Sequence, residues 1–161
     1  MFGGRDDRNL ASNRLLCIQV DSNAPLMGSL SSEPQLTILK LEPKGLAPPG
    51  RYMHTMTYFQ ERSLVTISGG RNDKLSKIVL DDVWVLRLDD LEYCKVSVQG
   101  DLKMQPRYNH SAAQFGSKLI LFGGMNDKMT LEMSVQEFEL DSELVEKLVK
   151  NEEQEKAKLI S

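Results

Sequence analysis

The sequence is poor in the residues that carry catalytic and metal-binding chemistry. Its 161 residues contain two histidines and two cysteines, and no His/Cys cluster with the spacing of metal ligands occurs. The Gly-x-Ser-x-Gly nucleophile motif and the Gly-Lys-[Ser/Thr] phosphate-binding motif are both absent. We therefore expect a protein that is not an enzyme and that binds no metal and no cofactor.

The chain also lacks a strong charge of either sign and a long apolar run. The net charge of −3 is spread over small mixed groups, so neither a polyanion-binding surface nor a nucleic-acid partner is expected. No apolar stretch approaches the roughly 20 residues needed to cross a bilayer, so no membrane partner is expected either. Two cysteines without a disulfide pattern, Cys17 and Cys94, favour a reducing compartment such as the cytoplasm.

What the sequence does contain is a repeat. A short hydrophobic stub ending in two glycines occurs three times, and the pairs lie 66 and then 54 residues apart. The pairs are Gly3-Gly4, Gly69-Gly70 and Gly123-Gly124. A fixed period of about 50 residues indicates one supersecondary unit that is repeated and that buries its apolar faces by stacking. Because glycine has no Cβ, such a pair can take positive φ and let a neighbouring backbone approach closely.

Other features recur in step with the glycines. The motif Arg-Tyr-x-His precedes the second and third pairs, with 56 residues from one histidine to the next. Its residues are Arg51, Tyr52 and His54 in one copy and Arg107, Tyr108 and His110 in the other. After each pair comes a strand-like segment that ends on an apolar residue followed by Asp. One of these, Val83 to Leu88, contains Trp84 and is nearly all apolar, so we expect a strand covered on both faces.

On these motifs the chain resembles the kelch-repeat family over nearly everything from Met1 to Asp141. The resemblance implies an all-β fold of kelch-type β-propeller blades, each a four-stranded antiparallel sheet packed around a channel. Because the paired glycines and the Arg-Tyr-x-His residues repeat with the blades, and Trp84 lies in one of the recurring strand-like segments, we interpret them all as structural. Arg51 and Arg107 are expected to brace blade edges through backbone carbonyls or a neighbouring carboxylate.

The repeats predict about ten strands, or roughly two and a half blades of four strands each. We place a partial blade at 1–41, a full blade at 42–98 and a partial blade at 99–141, followed by a helical tail at 142–161. Since propellers close with four to eight blades, an incomplete ring is expected. The chain should be a piece of a longer propeller or one of several chains that build a ring, flanked by further kelch blades and poorly behaved as a monomer.

Departures from the period are candidate contacts for a protein partner. Residues 21–34 form an inserted loop, and repeat proteins commonly bind through such insertions, although a tolerated loop without function is an equal alternative. The runs after the second and third glycine pairs are also long. The methionines of the run after the third pair can form an adaptable contact surface or can simply pack under the blade. The candidate contacts are Leu26 and Met27 in the inserted loop, then Arg71, Lys74, Met125 and Met129 after the glycine pairs.

The C-terminal tail changes character, since glycines, prolines and aromatic residues stop after Asp141. An apolar stripe and Glu-to-Lys pairs four residues apart predict a helix over 142–158. The helix either packs on its own blades or contacts a partner protein. The stripe consists of Leu144, Val145, Leu148 and Val149, of which Leu144 and Leu148 are the candidate partner contacts.

Together these features favour a non-enzymatic protein-interaction module in which stiff blades hold loops against a partner. The family resemblance implies scaffolds of the cytoskeleton, of axonemes or of ubiquitin ligases, and hence a cytoplasmic, cytoskeletal or ciliary location. Two alternatives stay open. One is the substrate-recognition propeller of a ubiquitin ligase. The other is a non-catalytic piece of a propeller enzyme whose active site lies in further blades.

Overall fold

The computed structural model describes residues 1–20, 36–96 and 103–140. Within these ranges the chain forms nine short β-strands, and a single 3-10 turn, Gln60–Arg62, joins the third strand to the fourth. The strands are β1 Leu15–Val20, β2 Leu36–Leu41, β3 Thr55–Phe59, β4 Leu64–Ser68, β5 Val83–Arg87, β6 Glu92–Lys95, β7 Ser111–Phe115, β8 Lys118–Phe122 and β9 Val135–Glu139.

The strands form three antiparallel sheets that follow the order of the sequence. The first sheet has the order β1-β2, the second β3-β4-β5-β6 and the third β7-β8-β9. In the second sheet each strand pairs with the next in sequence, which is a four-stranded meander. This sheet confirms the predicted four-stranded blade. The three sheets are called the first, second and third blades from here on. The described part of the protein forms no closed ring.

The second blade is buried on both faces because alternate residues of a strand point to opposite sides. Trp84 and Leu86 of β5 belong to the core cluster that includes Phe2 and Leu15 of the first repeat. Val83 and Val85 of the same strand belong to the cluster shared with the third blade. That second cluster contains Leu119, Leu121 and Phe138 of the third blade.

The prediction that β5 is covered on both faces is therefore confirmed. The four residues from Val83 to Leu86 are each at most 2% exposed. The strand ends at Arg87, one residue earlier than the apolar pattern suggested, and Leu88 beyond it is 39% exposed. Each blade junction thus has its own apolar core, and the second blade contributes to both cores.

The first repeat differs from the prediction at its glycine pair. The stub that contains Gly3 is not a strand, because only Phe2 forms a bridge, with Leu15. Gly3 N also donates to Arg14 O at 3.0 Å and Leu16 N donates to Met1 O at 2.8 Å, so the stub pairs with the start of β1 over a few residues. The described residues therefore hold nine strands where about ten were predicted.

Two predicted segments lie outside the described residues. The inserted loop at 21–34, with Leu26 and Met27, is one of them. The helical tail, with Leu144 and Leu148, is the other. Among the described residues, no helix has the length and apolar character that a membrane span requires.

Candidate functional site

The glycine pairs lie where neighbouring blades meet. At the junction of the first and second blades, called the first junction here, Gly4 N donates to Arg51 O at 2.9 Å. At the junction of the second and third blades, the second junction, Gly70 N donates to Arg107 O at 2.9 Å. A Cβ on Gly69 would lie 2.6 Å from the same Arg107 oxygen, and Gly69 has a φ of +56°. A side chain there is therefore disfavoured both by the close approach and by the backbone conformation.

Arg51 is fully buried beside the first junction and is paired with a carboxylate. Its Nη1 and Nη2 donate to the two oxygens of Asp82 at 2.6 and 3.0 Å, and Nη1 also donates to Gly69 O at 2.9 Å. Trp84 Nε1 donates to the same carboxylate at 2.7 Å. Burial works to raise the pKa of Asp82, but the hydrogen bond and charge of Arg51 and the indole N–H hold it below its usual value.

Arg107 occupies the equivalent position in the third blade, but its partners are neutral. Nη1 donates to the carbonyls of Gly123 and Ser134, both at 3.2 Å. Nη2 donates to Ser134 Oγ at 2.9 Å and to Gln136 Oε1 at 3.0 Å. Burial lowers the pKa of Arg107, which is fully buried as a residue. The two arginines therefore brace their blades differently, one through a carboxylate and carbonyls, the other through carbonyls and neutral side chains.

The two histidines lie at the junctions, where His110 is buried and His54 is partly buried. His110 Nε2 lies 2.9 Å from Thr55 Oγ1 across the second junction, and the Phe2 ring meets His54 edge-on across the first. Burial, followed by the charge of the nearby arginine, lowers the pKa of each histidine to about 4. Within residues 1–20, 36–96 and 103–140, no group of three or more His, Cys, Asp or Glu could hold a metal ion. The histidines thus contribute packing contacts between blades.

On the loop face of the first junction, an arginine and a tyrosine from different blades share one carboxylate. Arg5 Nη2 donates to Asp73 Oδ2 at 2.7 Å and to the Tyr52 hydroxyl at 2.9 Å. The Tyr52 hydroxyl donates to the same Asp73 oxygen at 2.7 Å, and Arg71 Nε holds the other oxygen at 2.6 Å. The Tyr52 and Arg71 hydrogen bonds lower the pKa of Asp73 to about 2. The carboxylate therefore closes this junction with charge-assisted hydrogen bonds.

At the second junction the same loop face is open. The guanidinium carbon of Arg71 lies 5.4 Å from the centre of the Tyr108 ring, and a groove of about 410 Å³ lies beside the two residues. Asp127 and Lys77 contribute charged groups to its lining. Its apolar lining comes from Ile78, Val79, Pro106 and Met129. Because it combines apolar walls with a few polar groups, this groove is the candidate functional site of the described residues.

Asx residues shape the loops around both junctions. The side-chain oxygens of Asp6, Asn72 and Asn126 each accept a backbone N–H from two residues further on, at 3.1, 3.0 and 3.0 Å. All three residues stand two positions after a glycine pair. An Asn or Asp at a fixed offset is a recognised turn signal, so the sequence pattern could have identified these turns.

The groove gathers some of the residues predicted to contact a partner, but not all of them. Arg71 and Met129 line it, and Met129 is 62% exposed. Met125 forms a backbone bridge with Tyr108 at its base, whereas Lys74 is exposed on the same loop outside the lining. Sequence reasoning missed the partnerships of Asp73 and Asp82.

Comparisons with known proteins match the sequence of this chain to a family. The KLHDC2/KLHL20/DRC7 Kelch-repeats domain matches residues 1–158. A tRNA wybutosine-synthesizing protein 2/3/4 of Arabidopsis thaliana is 33% identical over 108 residues, which is 66% of this chain and 10% of that protein. Host cell factor 1 of Homo sapiens is 37% identical over 84 residues, 50% of this chain and 4% of that protein. The flagellar outer arm dynein alpha chain of Chlamydomonas reinhardtii is 33% identical over 78 residues, 48% of this chain and 2% of that protein. The chain spans a tenth or less of each of these relatives.

Proposed function

This chain belongs to the kelch-repeat family, and we propose that it is a non-enzymatic protein-interaction module that works within a larger assembly. The observation that carries the proposal is the groove on the loop face of the second junction. The buried side chains of Arg51 and Arg107 fix the blades that carry its loops through hydrogen bonds. A rigid scaffold that presents variable loops is the usual design of a binding module.

The composition of the groove fits a protein segment as its ligand. Ile78 and Met129 are 43% and 62% exposed and offer apolar contact area beside the guanidinium of Arg71. Interfaces with proteins are enriched in aromatic residues, Met and Arg at their centre, and Tyr108 supplies the aromatic side chain here. An unbranched methionine can adapt its shape to a partner.

The first and third blades support the assembly part of the proposal. Their large apolar side chains are exposed on sheets that have a neighbouring blade on one side only among the described residues. These side chains include Ile18, Val20, Leu36 and Ile38 in the first blade and Phe115, Leu131, Met133 and Val135 in or beside the third. Soluble monomers rarely expose apolar patches of more than a few hundred Å², so we infer that further kelch blades, of the same polypeptide or of another one, cover these surfaces.

The relatives favour one type of assembly and one alternative. Similarity to a flagellar outer arm dynein chain favours an axonemal or cytoskeletal setting in the cytoplasm or cilium. Similarity to tRNA wybutosine-synthesizing proteins favours a second candidate, a non-catalytic propeller portion of an enzyme. In both cases the described blades would supply contacts to a partner and not chemistry.

Photo-crosslinking tests the position of the binding surface. A photoreactive amino acid at position 129, in the groove, should crosslink the native partner in a lysate of the source cells. The same amino acid at position 61 is the matched control, because exposed Glu61 lies in the β3–β4 turn, at the opposite end of β4 from the groove loops. Equal crosslinking from both positions, or crosslinking from 61 alone, would contradict the proposed surface.

Light scattering coupled to size-exclusion chromatography tests the assembly. We expect the isolated protein to elute as an oligomer or aggregate, because the outer blades expose apolar surface. A cooperatively folding monomer of 18.2 kDa would contradict the expectation that other blades cover these surfaces.

A further inference from the structure

Asp82 and Ser134 occupy equivalent positions in successive blades. Asp82 directly precedes β5, and Ser134 directly precedes β9, the matching strand of the third blade. Asp82 accepts hydrogen bonds from both Nη atoms of Arg51, at 2.6 and 3.0 Å, whereas Ser134 Oγ accepts one from Arg107 Nη2 at 2.9 Å. The position that gives a buried arginine a carboxylate in the second blade therefore gives it a hydroxyl in the third.

The residue two positions further along the strand changes as well. In the second blade Trp84 Nε1 donates to the Asp82 carboxylate at 2.7 Å. Its equivalent in the third blade is Gln136, whose Oε1 accepts a hydrogen bond from Arg107 Nη2 at 3.0 Å. A donor to the carboxylate has thus been replaced by an acceptor for the guanidinium. The third blade keeps its arginine hydrogen-bonded, but all of the acceptors that the described residues supply are neutral.

Arg107 is a buried cation whose surroundings favour an anion. The residue is fully buried, and burial lowers its pKa, an effect that the charge of Glu132 opposes. Charges interact more strongly where water is excluded, and a planar guanidinium can hydrogen-bond two oxygens of a phosphate or carboxylate at once. An anionic group on the Ser134 side chain would therefore complete the arrangement that Arg51 has with Asp82.

Ser134 lies in a stretch of chain that an enzyme can approach. The residue is partly buried, and its neighbours Met133 and Val135 are 84% and 63% exposed. They belong to the surface of the third blade that has no neighbouring blade among the described residues. In the assembly proposed above, the Ser134 hydroxyl would be modified before a further blade covers this surface.

We propose that Ser134 is a phosphorylation site and that Arg107 holds the phosphate as Arg51 holds Asp82. A protein kinase would transfer the γ-phosphoryl group of ATP to the hydroxyl. A bond forms between Ser134 Oγ and phosphorus, the bond from phosphorus to the β-phosphate oxygen breaks to release ADP, and the hydroxyl proton leaves to solvent. The phosphate adds about −1.5 to −2 charges at pH 7 beside Arg107. Because Ser134 does not line the groove of the second junction, failure of the groove as a binding site would leave this proposal standing.

Phosphoserine incorporated genetically at position 134 tests whether Arg107 receives the phosphate. Titration followed by phosphorus NMR gives the second pKa of the phosphate, which is about 6 when no charged group is near. Contact with Arg107 should lower this pKa to about 5. Phosphoserine at position 117 is the matched control, because the Ser117 hydroxyl donates to the Glu139 carboxylate at the opposite end of β9. There the carboxylate should keep the phosphate pKa at or above about 6.

Two variants test the same position without phosphate. Ser134→Asp supplies the carboxylate that the second blade has, and Ser134→Asn supplies a neutral side chain of nearly the same shape. The Asp variant should have a urea midpoint of unfolding at pH 7 about 0.5 M higher than the Asn variant, because its carboxylate pairs with Arg107. Both variants keep Arg107, so the comparison does not require a protein that has lost this buried side chain.

Mass spectrometry of the protein isolated from its source cells, with phosphatases inhibited, tests whether the modification occurs. We expect a fraction of the peptide that spans position 134 to carry one phosphate, which fragmentation assigns to Ser134 and not to Ser142. Recovery of this peptide without phosphate on Ser134 would overturn the proposal. So would equal urea midpoints of the Asp and Asn variants, or a phosphate pKa at position 134 that is no lower than the one at position 117.

Discussion

The two blade junctions are built from the same recurrent residues but differ in charge. Beside the first junction, Arg51 has the carboxylate of Asp82, and Arg5 and Tyr52 share that of Asp73. Beside the second, Arg107 has only neutral partners, and Arg71 with Tyr108 faces an open groove. The fold therefore needs the arginines and the close contact of the glycines, whereas carboxylates at these positions are free to differ from repeat to repeat.

The difference between the junctions shows that a buried arginine can be held without a carboxylate. A buried arginine is held when its N–H groups find acceptors, and Arg107 finds five oxygens without a carboxylate among them. At the second junction Arg107 has no described carboxylate partner, and Arg71 pairs with Asp73 through Nε. At the first junction both Arg51 and Arg5 pair with a carboxylate.

The largest expected effect is a loss of stability in acid, and it comes from the histidine that each junction contains. His110 is buried and His54 is partly buried, and each has a pKa lowered from 6.5 to about 4. The unfolded protein takes up protons below pH 6.5 while the folded protein does not, so stability falls as the pH drops from 6.5 towards 4. By pH 4.5 we expect a loss of about 2–3 kcal/mol per histidine, measured by urea unfolding at pH 7 and pH 4.5.

The variants His54→Gln and His110→Gln test whether the junctions contribute equally. Each should remove about half of the pH dependence between pH 7 and 4.5, whatever it does to stability at pH 7. Direct titration of the imidazole Cε1 protons by NMR checks the cause. Midpoints near 6.5 would contradict burial as the source of the acid sensitivity.

The next effect is the loss of stability when a partner of a buried arginine is removed, and it should differ between the two junctions. Asp82→Ala leaves Arg51 buried without a counter-charge, and removal of one partner of a buried pair costs about 3–5 kcal/mol. The equivalent change in the third blade, Ser134→Ala, removes one neutral hydrogen bond and should cost only about 1 kcal/mol. Urea unfolding at pH 7 measures both changes. Equal losses of unfolding free energy would show that the carboxylate does not make the Arg51 contacts more important than those of Arg107.

Two equivalent glycines, Gly69 and Gly123, allow a covered blade surface to be compared with an uncovered one. Gly69 and Gly123 have similar φ values of +56° and +69°, so alanine at either position costs about 1–2 kcal/mol of backbone strain. Only at Gly69 would the new Cβ meet a backbone oxygen, at 2.6 Å, because no described atom lies within 4 Å of it at Gly123. Gly69→Ala should therefore destabilise the protein by about 2 kcal/mol more than Gly123→Ala. If a further blade covers Gly123 in the native assembly, this difference should shrink there.

Much of the fold could be predicted because its signals are local. The spacing of the glycine pairs and the apolar run from Val83 predicted a four-stranded blade covered on both faces, and the structure confirms it. The stub at Phe2 was misjudged because whether a segment becomes a strand depends on the length of its pairing, and here one bridge forms.

The site could be predicted only in part because its chemistry depends on pairs that are distant in sequence. Arg71 was a candidate contact from its loop, but its stacking on Tyr108 requires two blades to be in place. The partnership of Arg51 with Asp82 spans 31 residues, and one of two adjacent aspartates had to be chosen.

The smallest expected effect tests whether Asp73 is held by the first junction as we describe. Tyr52→Phe removes the hydrogen bond that contributes most to lowering the pKa of Asp73, so that pKa should rise from about 2 towards 3.8. Because the Asp73 side chain is 38% exposed, the change in unfolding free energy should stay below about 1 kcal/mol and diminish further in high salt. Tyr108→Phe is the control, since its hydroxyl donates to no described residue and should leave the pKa of Asp73 unchanged. Carboxyl titration by NMR measures the shift directly. An equal shift in both variants would mean that the electric field of the whole loop face, and not the Tyr52 hydrogen bond, sets the acidity of Asp73.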